Sequence, residues 1–162
     1  MREVVIDTET TGLSYKTGDR VIEVGCVELI NHVATKNFLQ FYCKVDKEIS
    51  EAAQRITGIT NKFLSDKKYF SEHCDSLLKF IDNDTLVIHN ADFDVVFINN
   101  ELSLLGMSKI PNLVIDTVSL ARKTLNTRVA NLDYLCRRFK VDLSERDLHG
   151  ALLDSRLLAE VY

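Results

Sequence analysis

Tryptophan is absent from the 162 residues, proline occurs once and glycine six times, and no Ser/Gly tract or run of like charge interrupts the chain. Nothing reads as a linker, repeat or low-complexity segment, so one domain spanning residues 1–162 is expected. Also missing is any apolar run near the ~18 to 20 residues that cross a bilayer. The N-terminus has no basic stretch followed by a long apolar one, and a soluble cytoplasmic chain is expected. The four cysteines, Cys26, Cys43, Cys74 and Cys136, are scattered with no C-x-x-C pair. That spacing argues against a zinc or dithiol site and for reduced core residues.

Positive charge is scarce as well, with a formal net charge of -4, which at first sight disfavours a polyanionic partner. Its distribution is uneven. From Thr117 to Arg146 there are seven basic residues (Arg122, Lys123, Arg128, Arg137, Arg138, Lys140, Arg146) and three acidic ones (Asp133, Asp142, Glu145). Such a segment suits a polyanion and equally suits a solvated helix face.

What the chain does have is 46% hydrophobic residues, enough for a substantial core. Val4-Val5-Ile6 reads as a central strand. The runs Val21–Leu29 and Phe38–Val45, rich in β-branched and aromatic residues, extend it into a three-stranded antiparallel meander. Ser50 opens a short helix that Gly58 closes, and Thr60 caps another. Phe70, Cys74, Leu77, Leu78 and Ile81 recur at helical spacing. Beyond them, strands Thr85–Ile88 and Val114–Asp116 alternate with helices. One helix carries Val96, Phe97, Leu102, Leu104 and Leu105, one runs from Thr117 to Leu125, one is capped by Asn131, and the last begins near Gly150. The pattern is α/β, a mixed sheet with helices on both faces.

Acids stand where strands give way to other structure. Asp7 and Glu9 follow Ile6, and residues two apart on a strand share a face, so their carboxylates lie close together and call for a cation. Alone, that pair is also readable as a solvated acidic turn. Asp92 and Asp94 follow the Thr85–Ile88 strand, Asp116 ends the next, and Asp154 lies on the last helix. On one continuous helix, His149 and Asp154 would diverge by about 140°. With His149 in the loop before the helix, as Gly150 allows, both reach one cleft. Asp92 suits a helix N-cap or an exposed neighbour, and Asp116 a structural part. His89 and Asn90 suit either substrate or loop backbone. His32 and His73 have no motif around them.

Asp7-Thr8-Glu9-Thr10-Thr11-Gly12, His89-Asn90-Ala91-Asp92-Phe93-Asp94 and His149-Gly150-Ala151-Leu152-Leu153-Asp154 resemble, in order, the three motifs of the DEDDh 3′-to-5′ exonucleases, most closely their polymerase-proofreading branch. The resemblance spans essentially the whole chain and implies a ribonuclease H-like sheet. It implies that Asp7, Glu9, Asp94 and Asp154 hold two divalent cations, Mg²⁺ or Mn²⁺, with His149 as general base. Carboxylates suit those hard ions, two of which can activate water and stabilise a leaving 3′ oxygen. Imidazoles titrate near neutral pH, as a base for water should. Four ionised ligands and two divalent ions would also cancel in charge.

Substrate contact is implied for Glu9, Thr10, Thr11, Gly12, Leu13, Thr57 and Asp154, with Leu13 against the terminal base. Such contacts carry little sequence information. Thr57 stands where the family commonly has a substrate-contacting histidine, a departure that bears on how tightly the terminal phosphate is held and not on the metal ligands. The expected substrate is a single-stranded 3′ DNA end, mispaired ends being favoured because they unpair cheaply. The expected partner is the polymerase catalytic subunit of a multi-subunit holoenzyme, although the docking tail usual in the branch does not follow Tyr162. An exoribonuclease of the same superfamily and a non-catalytic polymerase-stabilising subunit are the alternatives.

Overall fold

A computed structural model describes all 162 residues. Its centre is β1 (Arg2–Thr10), flanked by β2 (Val21–Ile30) antiparallel and β4 (Thr85–Ile88) parallel. β3 (Val33–Tyr42) closes one edge against β2, and β5 (Val114–Asp116) lies parallel to β4 at the other, giving the order β3-β2-β1-β4-β5. Asn31 and His32, at φ 49° and 68°, make the two-residue β2–β3 turn, a conformation whose twist matches that of the paired strands.

β1 is longer than its apolar run. Pairing of Asp7 with Gly25, Glu9 with Glu23 and Thr10 with Val21 carries it four residues past Ile6, so Asp7 and Glu9 sit inside the strand and not at its end. A bulge between Glu9 and Thr10 re-aims the chain into the next loop.

Strand alternation divides the core between two faces. Val4 and Ile6 point into a cluster with Phe70, Leu77, Phe97 and Leu102, contributed by α3 (Phe70–Ile81) and α4 (Ala91–Leu104). Val5 points the other way, toward Leu132, Cys136, Leu157 and Leu158 of α6 (Leu132–Arg138) and α7 (Ala151–Val161). Val4, Val5 and Ile6 have no exposed surface, which stabilises the fold by about 1.5–3 kcal/mol each. The mixed sheet with helices on both faces is the expected one. All four cysteines are buried and unpaired, also as expected.

Helix boundaries follow the capping residues. The Ser50 hydroxyl accepts from Ala53 N at the start of α1 (Glu51–Thr57), and Gly58 ends it at φ 72°. Thr60 caps the single turn α2 (Asn61–Leu64), Asp116 caps α5 (Thr117–Thr124) and Asn131 caps α6. The inward face of α4 differs from the expected one. Phe97, Ile98, Glu101 and Leu102 are buried, while Val96, Leu104 and Leu105 are exposed, because Glu101 turns inward to pair with Arg20 at 2.7 Å.

Two contacts set the position of α7. Gly25 lies so close to its first turn that a Cβ there would stand 2.4 Å from Leu152 N and 2.5 Å from Ala151 C. Beside it, Glu23 Oε1 accepts from Ala151 N at 2.8 Å, and Ser155 Oγ donates to Gly25 O at 3.0 Å. Glycine is thus required by close approach of backbone to backbone. The helix start is fixed over the strand position opposite Asp7.

Candidate active site

Asp7 and Glu9 share the β1 face that looks toward α6 and α7, as alternation requires. Asp154, one turn into α7, comes to the same place because Gly25 and Glu23 seat the helix there. Asp94, in the first turn of α4, reaches round the sheet end, where its Oδ1 accepts from Thr8 N at 3.0 Å and Thr8 Oγ1 at 2.5 Å. His149 stands in the loop just before α7, and its main-chain N–H donates to Ile56 O at 2.7 Å. Together these five residues line one cavity of about 200 Å³. Ligand atoms of Glu9, His149 and Asp154 can be drawn within 4.8 Å of one another.

The cavity concentrates negative charge. Burial, then the neighbouring Asp94, Glu9 and Asp154, hold the Asp7 carboxyl well above the usual carboxylate range. Glu9 is pushed up to about 8 by burial and by Asp154 and Glu23 beside it. Asp94 rises to about 7 through burial, against the opposing pull of its bonds from Thr8. Burial also raises Glu23. Carboxylates in this state fit divalent cations. Asp7 Oδ2 is buried without a hydrogen-bond partner, and a hard positive ion is what such an oxygen lacks.

One side chain already answers part of that charge. Arg146 grips Asp154 with both arms of its guanidinium, Nε to Oδ1 at 2.7 Å and Nη2 to Oδ2 at 3.0 Å, and its Nη1 bonds Asp133. Both side chains of the Arg146–Asp154 pair are 8% exposed. Burial alone would lower the guanidinium pKa, but its bonds to the two aspartates more than compensate and hold it protonated. The sequence offered Arg146 only as one of seven basic residues.

Glu23, read there as part of a strand, also supports the site by anchoring α7. His89 is intermediate: its Nδ1 lies 2.9 Å from Thr117 Oγ1, while Nε2 is buried without a partner in the wall of the cavity. Burial holds His89 below the usual imidazole value, so the ring is neutral at pH 7.

The remaining sequence candidates fall elsewhere. The Thr11 hydroxyl donates to Asp19 Oδ1 at 2.7 Å, and that of Thr10 to Gly12 O at 2.6 Å, so both side chains brace the loop after β1. A Cβ at Gly12 would meet the Asp19 carboxylate at 2.5 Å. Leu13, 87% exposed, projects from that loop. Thr57 is not in the cavity: its hydroxyl donates to Ala53 O and accepts from Ile59 N, because a buried threonine at a helix end satisfies itself on local backbone. Asp92 is exposed and does not cap α4. Asn90 occupies the cap position, and its main-chain N–H is held by Asp116.

A mixed sheet with acidic side chains gathered at one end is the architecture of ribonuclease H-like exonucleases, and solved structures bear this out. Exonuclease I of E. coli, solved in complex with a dA16 oligonucleotide, superimposes on 98% of the chain with a TM-score of 0.84 at 19% identity, the chain spanning 39% of that protein. Exonuclease X, solved in complex with 5′-overhanging duplex DNA, matches 98% of the chain and is itself 90% covered, with a TM-score of 0.74 and 25% identity. The chain belongs to the RNase_T exonuclease family, whose model matches residues 4–162. Among curated proteins it is 47% identical to DNA polymerase III subunit epsilon of Rickettsia felis, over 100% of this chain and 72% of that one. It is 42% identical to DNA polymerase III subunit epsilon of Salmonella typhimurium, over 99% and 70%. Exonucleases of this family use divalent metal ions, and the chain is a 3′-to-5′ exonuclease.

Proposed function

We propose that this exonuclease removes mispaired nucleotides from single-stranded 3′ ends of DNA as 5′-monophosphates, proofreading for a bacterial replicative polymerase. The observation that carries the reading is the convergence of Asp7, Glu9, Asp94 and Asp154 on one cavity, with an unpartnered buried oxygen on Asp7 and protonation of Glu9 and Asp94 favoured by burial. These four residues would hold two divalent ions, Mg²⁺ or Mn²⁺. When bound, the ions supply activation of water and stabilisation of charge on the leaving 3′ oxygen.

The protein's own groups do the rest. His149, held by its main-chain bond to Ile56, accepts the proton of the attacking water. The neutral His89, its Nδ1 held at Thr117 Oγ1, forms part of the cavity wall beside the carboxylates. Thr10, Thr11 and Gly12 hold the loop on which the last nucleotide rests, and Leu13 meets its base. A terminal mismatch reaches the cavity more readily because less pairing energy is lost on entry. Curated relatives named as subunits of DNA polymerase III support a holoenzyme as the setting, with its polymerase catalytic subunit as partner. No helix is long and apolar enough to cross a membrane.

The test is release of labelled mononucleotide from 3′-labelled single strands with Mg²⁺, on matched DNA and RNA. DNA should be cleaved faster, Asp7→Ala with Glu9→Ala should abolish activity, and His149→Ala should lower kcat by about 10²–10⁴-fold. Full activity in the double variant would overturn the site, and equal rates on RNA would overturn the substrate assignment.

A further inference from the structure

The cavity holding the carboxylates does not end at them. It shares His89, Asn90, Leu132, Arg146 and His149 with a second, open cavity of about 510 Å³ on the α5–α6 side. That one in turn shares Arg122 with a third of about 540 Å³, lined also by Asn126, Thr127 and Arg128. The three join into a groove leading from the carboxylates across the N-terminal end of α6 and out to the α5–α6 loop. Its charge changes sign along the way.

The inner end is acidic, whereas no acidic residue occurs between Thr117 and Asn131, where Arg122, Lys123 and Arg128 are all exposed. The acid on the groove wall, Asp133, is already bonded to Arg146. Neither outer arginine is engaged by a carboxylate: Arg122 Nε donates only to Arg128 O, at 3.3 Å. Val118, Ala130 and Leu132 give the middle of the groove an apolar wall against which sugars and bases can lie.

We propose that this groove is a binding site for the single strand 5′ of the scissile bond, with Arg122 and Arg128 holding its backbone phosphates. This deepens the functional reading above and rests on it. Phosphates on free guanidinium groups contribute affinity without reading sequence, as an enzyme that must follow any strand requires.

The test compares wild type with Arg122→Ala/Arg128→Ala on two substrates. One is an oligothymidylate series from two to ten residues. The other is the p-nitrophenyl ester of thymidine 5′-monophosphate, which has no strand beyond the reacting bond. In wild type KM falls with length until the groove is filled. In the variant that fall flattens, KM for the longest oligomer rises about tenfold, and the log–log salt dependence becomes shallower by about 0.7 per lost arginine. Ester hydrolysis stays unchanged. Arg122→Lys, which keeps the charge, and Arg128→Ala, which keeps the Arg122 bond to the main chain, separate loss of charge from a loosened loop.

Identical length and salt profiles in wild type and variant would overturn the groove. So would an unchanged length profile with weaker inhibition by thymidine 5′-monophosphate, which would place product there. Wild-type protein that cleaves neither substrate would refute the functional reading itself.

Discussion

Glu9→Gln separates what the site costs from what it does. Glu9 binds a proton more tightly in the folded protein, its pKa lifted from 4.5 to about 8, than in the unfolded chain. Between those values the folded state holds more protons than the unfolded state. Stability of the metal-free protein therefore falls as pH rises through that window and returns as pH falls. At about 1.4 kcal/mol per pH unit the interval sets a ceiling near 5 kcal/mol. Water at the cavity mouth reduces this to about 1–3 kcal/mol. Glutamine keeps the shape and removes the charge, and no protein hydrogen bond to the Glu9 carboxylate is lost with it. In EDTA at pH 8 the variant should melt about 3–10 °C above wild type, and the two should converge near pH 5. Adding Mn²⁺ should raise wild type more than the variant, because ligand binding stabilises in proportion to affinity. Exonuclease activity should be lost in the same protein. Melting of metal-free Glu9→Gln below wild type at pH 8, or a gap that does not change with pH, would refute the account of the buried charge.

Arg146→Ala should move stability the other way. It leaves Asp154 buried beside Glu9 without a counter-charge, a change that costs about 3–5 kcal/mol, and Mn²⁺ should recover more of the melting temperature than it adds to wild type. A metal-free melting temperature equal to wild type would show the pair to be dispensable. Gly25→Ala places a Cβ 2.4 Å from the main chain of α7, which cannot yield as a side chain would. The helix must lift and carry Asp154 with it, and because about 1 Å of misplacement can cost about 10²-fold, kcat should drop by at least that much while circular dichroism remains folded. Wild-type turnover in this variant would contradict the seating of α7.

Much of this architecture was legible in the chain because local signals agreed with it. Ser50, Thr60 and Asn131 cap the helices they precede, and Phe70, Cys74, Leu77 and Ile81 face the core. Where the reading failed, the deciding partner was distant in sequence. Asp7-Thr8-Glu9-Thr10 has the composition of a turn and became strand through its pairing with β2, as tertiary context overrides local preference. Val96 and Leu104 fit an inward stripe, yet Glu101 took the interior because Arg20, 81 residues away, meets it there. The same holds for the site. The motif residues Asp7, Glu9, Asp94, His149 and Asp154 meet in one cavity, while Arg146 and Glu23 were hidden in an ordinary charged loop and an ordinary strand. Thr57 shows the converse: a position marked by family pattern whose hydroxyl the local helix end consumed.

The seating of α7 on β2 has a consequence for biosynthesis. Glu23 meets Ala151 across 128 residues and Ser155 meets Gly25 across 130, so the contacts that complete the site are among the longest-range in the molecule. Such contacts require the costly closure of a long loop, and during translation they await emergence of α7. A ribosome-bound chain can already have built the meander with Asp7 and Glu9 while lacking His149 and Asp154. Until α7 docks on β2, the nascent sheet carries two of the site's carboxylates without the His149 and Asp154 that share their cavity.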